Sequence, residues 1–163
     1  MKIISGDLIQ LGKAGVFDVI IQGCNCQNRM GKGIALQIKQ EFPEAYQADR
    51  STTRGDRSKL GRYTYAVTAS GLTVVNAYTQ YDYWRKGDPP TVHVDYRAID
   101  RAFQAIKRQW GGEGKKFGIP KIGAGLAGGD WSVISAVIDN VMADEDITLV
   151  EYTGVPAVQS QRK

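Results

Sequence analysis

Two glycine-rich segments carry residue types that bind phosphate without a metal. One runs from Gly23 to Gly33 and the other from Gly123 to Asp130, each between a strand-like apolar run and a segment of helical periodicity. Glycine lets the backbone turn sharply and approach a ligand, and the following helix directs free N–H groups at the same point. Two such loops could grip two phosphates, so the pattern indicates a diphosphate ligand. The alternative is that each cluster is only a helix-entry turn.

Strands and helices alternate around these loops. Runs of β-branched and aromatic residues predict strands at about 2–4, 17–23, 63–67, 72–78, 116–122 and 147–152. Apolar spacings of three and four predict three helices: one from Gly33 to Pro43, one over about 94–110, and one over about 130–143. This alternation predicts an α/β fold with a parallel or mixed sheet. In such open sheets ligands lie at the carboxyl ends of strands, where both loops begin.

The composition excludes several classes of protein. The chain has 163 residues, a net charge of +4, and 42% hydrophobic and 23% charged residues, which is the balance of one globular domain. No apolar run reaches the ~18 residues of a membrane span, and the first residues do not read as a signal peptide. Cys24 and Cys26 are too close for an unstrained disulfide, and one histidine leaves too few zinc ligands. We therefore expect a reduced, cytoplasmic, metal-free monomer.

One hexapeptide, Gly123 to Gly128, matches the dinucleotide pattern G-x-G-x-x-G. That fingerprint should open a βαβ unit with more sheet to follow, but only one predicted strand comes after it. The context argues against a Rossmann oxidoreductase. The pattern G-x-x-x-x-G-K-[ST] does not occur, so a P-loop NTPase has no support either.

Three motifs, in order along the chain, resemble those of a macrodomain. They are Gly6-Asp7-Leu8-Ile9, Asn25 ahead of Gly31-Lys32-Gly33-Ile34-Ala35, and Pro120-Lys121-Ile122-Gly123-Ala124-Gly125-Leu126. The resemblance covers about residues 1–153. It implies a three-layer α/β/α fold with a central mixed sheet over 1–155, a flexible tail over 156–163, and a domain that binds ADP-ribose and needs no cofactor. The diphosphate of that ligand agrees with the two-loop pattern.

The resemblance also implies a role for each motif residue. Asp7 would accept a hydrogen bond from the adenine amino group beside a backbone contact from Leu8, and Tyr152 would pack on the adenine ring. Asn25 would hydrogen-bond the distal ribose. Backbone N–H groups would hold the diphosphate between two sets of residues: Gly31, Lys32, Gly33 and Ile34 on one side, and Gly123, Ala124, Gly125 and Leu126 on the other. The alternatives are structural: Asp7 could stabilise a turn, Asn25 could satisfy loop backbone, and Tyr152 could be an ordinary sheet residue.

The motifs are most similar to a branch that includes ADP-ribose-1″-phosphate phosphatases, terminal ADP-ribose protein glycohydrolases, and antitoxins that remove ADP-ribose from DNA. The glycohydrolases and antitoxins place a catalytic lysine where this chain has Gln80, and the glycohydrolases an aspartate where it has Ala127. A lysine-linked intermediate is therefore not expected. We expect hydrolysis of ADP-ribose-1″-phosphate to ADP-ribose and phosphate. A non-catalytic ADP-ribose reader, or a hydrolase acting on modified protein or nucleic acid, is the alternative.

Four side chains are candidates for that hydrolysis. Asn25 and the loop amides would orient the terminal phosphate and a water molecule. His93 could protonate a leaving group or be a surface or capping residue, and Asp130 could titrate or simply cap the helix that follows. Asp82 is the other titratable candidate. The phosphatase branch can carry a histidine where this chain has Gln22, so that acid or base is missing.

Two further segments have open interpretations. The aromatic residues Tyr78, Tyr81, Tyr83 and Trp84 could close over the distal ribose or pad the core. Between Asp49 and Arg62 lie five basic and two acidic residues, which could meet a nucleic acid or an acidic partner. We favour a plain solvated loop there, because no aromatic residue interleaves the patch. Since N–H groups would hold the phosphates, we expect the net charge to play no part in the pocket.

Overall fold

Six strands form one mixed sheet. They are β1 (Lys2–Ser5), β2 (Val19–Cys24), β3 (Tyr63–Val67), β4 (Thr73–Tyr78), β5 (Lys116–Ile119) and β6 (Asp146–Glu151). Their order across the sheet is β1-β6-β5-β2-β4-β3. Every neighbouring pair is parallel except β3 and β4, which are antiparallel at one edge. The computed structural model describes residues 1–152, and the predicted tail over 156–163 lies outside them.

Helices cover both faces of the sheet. They are α1 (Leu8–Lys13), α2 (Gly33–Glu41), α3 (Pro43–Arg50), α4 (Tyr96–Trp110) and α5 (Trp131–Val141), with a short 3₁₀ turn at Arg57–Lys59. Successive residues of a strand point to opposite faces, so Val19 and Ile21 pack with α4 and α5, and Ile20 packs with α1 and α2. The three-layer α/β/α prediction is confirmed. No helix within residues 1–152 is long and apolar enough to cross a membrane.

The structure adds two helices that periodicity alone did not reveal. The six-residue α1 is too short for a repeating apolar pattern. At Pro43, α2 does stop near the predicted point, but the proline occupies the first turn of α3. Proline suits that position because its missing N–H would have no helical partner there. Strand β5 ends at Ile119, short of the predicted residue 122, because the Ile122 N–H turns back to the Pro120 carbonyl.

The basic segment between Asp49 and Arg62 is not a plain solvated loop. Asp49 and Lys59 are both buried, and the Asp49 carboxylate accepts a hydrogen bond from the Tyr78 hydroxyl at 2.8 Å. The Lys59 ammonium lies 5.2 Å from the centre of the same tyrosine ring. The aromatic residues missing from the segment therefore come from a neighbouring strand, which the order of residues along the chain could not reveal.

Gly118 on β5 leaves room for an aromatic ring to lie directly on the strand. A Cβ atom at this position would come within 2.7 Å of the Phe17 ring, closer than real Cβ contacts allow. Replacing Gly118 by alanine should therefore lower the free energy of unfolding by about 1–3 kcal/mol, measured by urea denaturation. Gly31→Ala is the matched control, because a Cβ at Gly31 would meet no atom within 4 Å. Equal stabilities of the two variants would contradict the packing argument.

Candidate functional site

A continuous cleft lies beyond the carboxyl ends of the central strands β2 and β5. A cavity of about 300 Å³, which we call the Asn25 cavity, is lined by Asn25 and by both glycine-rich loops. A neighbouring cavity of about 420 Å³, the Asp7 cavity, extends to Asp7 and Tyr152. The two share Gly33, Ile34, Pro120 and Lys121. The structure therefore brings most of the predicted ligand-binding residues together along one path.

The start of α2 presents unpaired backbone donors to this cleft. Helices α1, α4 and α5 are each capped by an aspartate side chain, and α3 begins with proline. In contrast, the N-cap of α2 is Lys32, whose side chain makes no capping hydrogen bond. Within residues 1–152 no acceptor pairs with the N–H groups of Gly33, Ile34 and Ala35, all of which line the Asn25 cavity. Such donors, at the positive end of a helix dipole, suit a phosphate.

The second glycine loop faces the same cavity with its own free donors. The loop closes on itself through Gly128 N–H to the Gly125 carbonyl at 3.0 Å and Gly129 N–H to the Gly123 carbonyl at 2.7 Å. Those bonds leave the N–H groups of Gly125 and Leu126 without a partner in the described chain. The Ala124 N–H is already bonded to the Lys121 carbonyl, and Ala124 does not line either cavity. The structure therefore does not place Ala124 beside Gly125 and Leu126 in the cavity lining, and its N–H is not a free donor.

Asn25 lines the cavity and also bonds its own loop. Its Nδ2 donates to the Arg29 carbonyl at 3.0 Å, and its Oδ1 accepts from the Gln27 N–H at 2.9 Å. The amide thus satisfies loop backbone, which was the structural alternative. Each of the two atoms still has capacity for a second hydrogen bond. The loop bonds fix the orientation in which that capacity meets a ligand.

Asp7 and Tyr152 mark the other end of the cleft. The Asp7 Oδ1 caps α1 by accepting from the N–H groups of Ile9 at 2.9 Å and Gln10 at 3.2 Å. Its second oxygen makes no hydrogen bond with any described residue. Tyr152 is 61% exposed, so it does not pack into the sheet as an ordinary core residue. Leu8, which is buried, lines the same cavity beside Asp7.

Three cations line the cleft that was expected to depend on neutral N–H groups. Arg29 is exposed and has no carboxylate within 4.0 Å in the described part of the chain. The Lys32 ammonium lies 5.1 Å from the centre of the Trp84 ring, and the Lys121 ammonium lies 3.4 Å from the Glu151 carboxylate. The expectation that positive charge plays no part in the pocket is therefore wrong. These cations raise the affinity of the cleft for an anion.

Of the four aromatic residues from Tyr78 at the end of β4 to Trp84, two lie in the core and two line the cleft. Tyr78 is 1% exposed, and Tyr81 packs against the small cluster around Cys26, so both pad the interior. Tyr83 and Trp84 line the Asn25 cavity. The Trp84 indole N–H donates to the Asp88 carbonyl at 3.0 Å, which ties the ring to the turn that follows. Core padding thus accounts for Tyr78 and Tyr81, while closure over a ribose by Tyr83 and Trp84 stays a prediction.

The predicted titratable candidates do not line the Asn25 cavity. His93 lines a separate groove with Arg57 and Arg97, and the backbone N–H of His93 donates to the Ala127 carbonyl at 2.7 Å. Asp130 caps α5, and its hydrogen bonds from Ser132 hold the pKa of its carboxyl below the usual range. The structure therefore favours the capping alternative for Asp130. His93 caps no described helix, and its Nε2 is buried without a hydrogen-bond partner among the described residues.

Asp82 is likewise absent from the lining of the Asn25 cavity. Burial acts to raise the pKa of its carboxyl, but the hydrogen bonds from Arg85 and the Tyr83 N–H, together with nearby positive charge, outweigh that and hold the pKa below the usual range. Its backbone carbonyl instead accepts a hydrogen bond from Gln80 Nε2 at 2.8 Å.

The remaining polar groups of the Asn25 cavity are neutral. Gln80 lines the cavity with a neutral amide. Cys24 also lines it, and burial raises the pKa of the Cys24 thiol well above its usual range, so the thiolate is disfavoured. Burial raises the pKa of Cys26 to about 11. Among the described lining residues there is no carboxylate and no imidazole, and the cations and N–H donors that do line the cavity are groups that suit an anion.

Known proteins resemble this chain in sequence and in fold. No model of a known protein family matches the sequence. An uncharacterized 17.5 kDa protein of enterobacteria phage T4, from its tk-vs intergenic region, is 31% identical over 161 residues, covering 93% of this chain and 96% of that protein. The macrodomain of Mycobacterium tuberculosis DarG superposes with a TM-score of 0.69 at 22% identity, over 93% of this chain and 95% of that one.

Thermosipho africanus DarTG, solved in complex with ADP-ribose, superposes with a TM-score of 0.71 at 17% identity. That match covers 96% of this chain and 43% of the DarTG chain. The fold is therefore the one that these macrodomains share, and the sequence is related over nearly its whole length to the phage T4 protein. The chain belongs to that protein's family and has the macrodomain fold.

Proposed function

We propose that the cleft binds ADP-ribose and that the protein hydrolyses ADP-ribose-1″-phosphate to ADP-ribose and phosphate. The observation that carries the proposal is the uncapped N-terminus of α2, whose free N–H groups belong to residues that line the same cavity as Gly125 and Leu126. Two sets of free donors on one cavity suit the two phosphates of a diphosphate. The ADP-ribose complex of DarTG, which has the same fold, supports this choice of ligand.

The length of the cleft suggests how such a ligand would lie. The adenine ring would occupy the Asp7 cavity, with its amino group toward the free Asp7 oxygen and its face toward Tyr152. The diphosphate would lie where the two cavities meet, beside Gly33 and Ile34. The distal ribose would then reach Asn25, with a 1″-phosphate within reach of the unpaired Arg29 guanidinium. Arginine holds phosphate through a planar fork of N–H donors.

Hydrolysis in this cavity would depend on position and charge. The oxygen of a water molecule attacks phosphorus, the bond from phosphorus to the ribose oxygen breaks, and the proton lost by the water ends on that oxygen. The products are ADP-ribose and inorganic phosphate. Asn25 would orient the water and the phosphate, while Arg29 and the loop N–H groups offset the charge of the transition state. No described group in the Asn25 cavity is a carboxylate or imidazole base.

That lack of a base favours one second candidate, a protein that binds ADP-ribose and does not turn it over. The cleft would be the same, and the distal cavity would recognise the ribose and leave its substituent intact. A glycohydrolase that works through a lysine-linked intermediate has less support, because the neutral amide of Gln80 stands at the lysine position and donates to the Asp82 carbonyl at 2.8 Å. Release of phosphate separates the first candidate from the second.

Titration calorimetry should show one ADP-ribose bound per chain, and Gly125→Val should abolish most of that binding. A Cβ at Gly125 would meet no protein atom within 4 Å, so valine methyl groups would occupy ligand space without disturbing the fold. We expect a loss of about tenfold to 100-fold in affinity, equivalent to one or two charge-assisted hydrogen bonds. Gly125→Ala is the control and should lose less, with the melting temperatures of both variants unchanged. Wild-type affinity in the valine variant would argue against this location of the ligand.

Asn25→Ala should separate binding from turnover. We expect phosphate release from ADP-ribose-1″-phosphate to fall by about 10²–10³-fold in kcat, while the dissociation constant for ADP-ribose changes by less than about tenfold. Asn140→Ala is the matched control, because Asn140 is an exposed amide on α5 and does not line the cleft. Unchanged turnover would refute the role of Asn25. If the wild-type protein binds ADP-ribose but releases no phosphate, the non-catalytic reader replaces the phosphatase.

A further inference from the structure

A second concave surface adjoins the distal end of the cleft. This basic groove has a volume of about 540 Å³ and lies between α2, α3 and the loop that carries Asn28. Its lining residues are Gln27, Asn28, Arg29, Met30, Gly31, Lys39, Tyr46, Arg50, Thr52 and Arg54. Arg29 and Gly31 also line the Asn25 cavity, so the groove opens directly onto it. None of its described lining residues is an aspartate or a glutamate.

The positive charge of the groove is not neutralised by carboxylates at its surface. Some other cations of the described chain are paired, such as Lys2 with Asp146 at 3.0 Å and Arg85 with Asp82 at 3.1 Å. No carboxylate of residues 1–152 lies within 4.0 Å of the four groove cations, Arg29, Lys39, Arg50 and Arg54. Asp49, next in sequence to Arg50, is 1% exposed and directs its carboxylate to Tyr78. The Asp49 carboxylate therefore does not pair with the groove cations at the surface.

Contacts inside the groove hold its cations and its floor in place. The Arg50 guanidinium donates to the Tyr46 hydroxyl at 2.8 Å, and that bond lowers the pKa of Tyr46. The Lys39 ammonium lies 4.6 Å from the centre of the same ring. Below them, the buried Lys59 donates to Asn28 Oδ1 at 2.7 Å and to Thr52 Oγ1 at 2.9 Å. The backbone of Asn28 lies in the left-handed region with φ of 57°. This backbone and the Lys59 hydrogen bonds fix the position of Asn28 at the floor of the groove.

We propose that the basic groove binds a single-stranded polynucleotide, whose phosphodiester backbone follows the four cations toward Arg29. Three of the four are arginines, and the guanidinium fork matches a phosphate group in geometry and charge. The amides of Gln27 and Asn28 add donors and acceptors suited to bases and sugars. A flexible single strand can follow a concave surface, whereas a duplex is stiff over ~150 base pairs. Apart from Arg29 and Gly31, the lining residues of the groove are not those of the cleft, so we expect this binding to require no ADP-ribose.

Fluorescence anisotropy with a labelled mixed-sequence oligonucleotide of about 12 residues, as DNA and as RNA, tests the proposal. Between about 50 and 200 mM NaCl, the logarithm of the association constant should fall with the logarithm of salt with a slope near −3, since four neutralised phosphates contribute about −0.7 each. The double variant Arg50→Gln/Arg54→Gln should bind at least about tenfold more weakly and lose about 1.4 from the slope. Neither residue lines the cleft, so phosphate release and ADP-ribose binding should be unchanged.

Arg108→Gln/Lys115→Gln is the matched control, because it removes the same charge from residues that lie outside the groove. Its affinity and slope should remain those of the wild-type protein. The proposal is overturned if no oligonucleotide binds or if the control loses as much affinity as the groove variant. It is also overturned if a duplex of the same sequence binds as tightly as the single strand. Equal competition by polyglutamate would identify an acidic peptide as the partner instead. If the wild-type protein binds the oligonucleotide but does not bind ADP-ribose, the proposed function is rejected and the proposal for the groove stands.

Discussion

The unpaired N–H groups at the start of α2 are the constraint around which the cleft is organised. Every helix leaves its first N–H groups without a partner within the helix, and this chain satisfies them with aspartate at α1, α4 and α5. At α2 the residue in the capping position is Lys32, which can only donate. An anion is the group that completes this helix. The glycines on either side keep side chains out of the space in which that anion would lie.

The parallel sheet turns that local feature into a site. Strands β2 and β5 are neighbours and run in the same direction, so the loops that leave them meet at one edge. The loop after β2 contributes the start of α2, and the loop after β5 contributes the free donors of Gly125 and Leu126. Positive side chains then gather on the same edge, and burial keeps the Cys24 thiol protonated. The resulting surface suits a negatively charged ligand, and the described residues of the Asn25 cavity include no strong nucleophile.

Local patterns predicted the strands and the glycine loops because their signals lie within a few consecutive residues. Other features depend on distant contacts and could not be found in that way. Tyr78 and Tyr83 are five positions apart in one aromatic run, yet Tyr78 ends a buried strand and Tyr83 lines the cleft. Lys59 looked like a solvated cation because its partners, Asn28 and Thr52, are supplied by other parts of the chain. The sequence did not predict the charge at the cleft for the same reason, because only the folded structure places Arg29 in the lining of the cavity.

The central position of β2 limits how this domain can change during evolution. Val19 and Ile21 belong to one core and Ile20 to the other, so the strand carries two interleaved sets of contacts. A single inserted residue would exchange the two sets and move the following loop by about 3.3 Å along the strand. Such an insertion damages both cores and the site in one event. Length variation among relatives should therefore be concentrated in outer turns such as the exposed segment at Arg85–Gly87, while the chain from Val19 to Gly33 keeps its length.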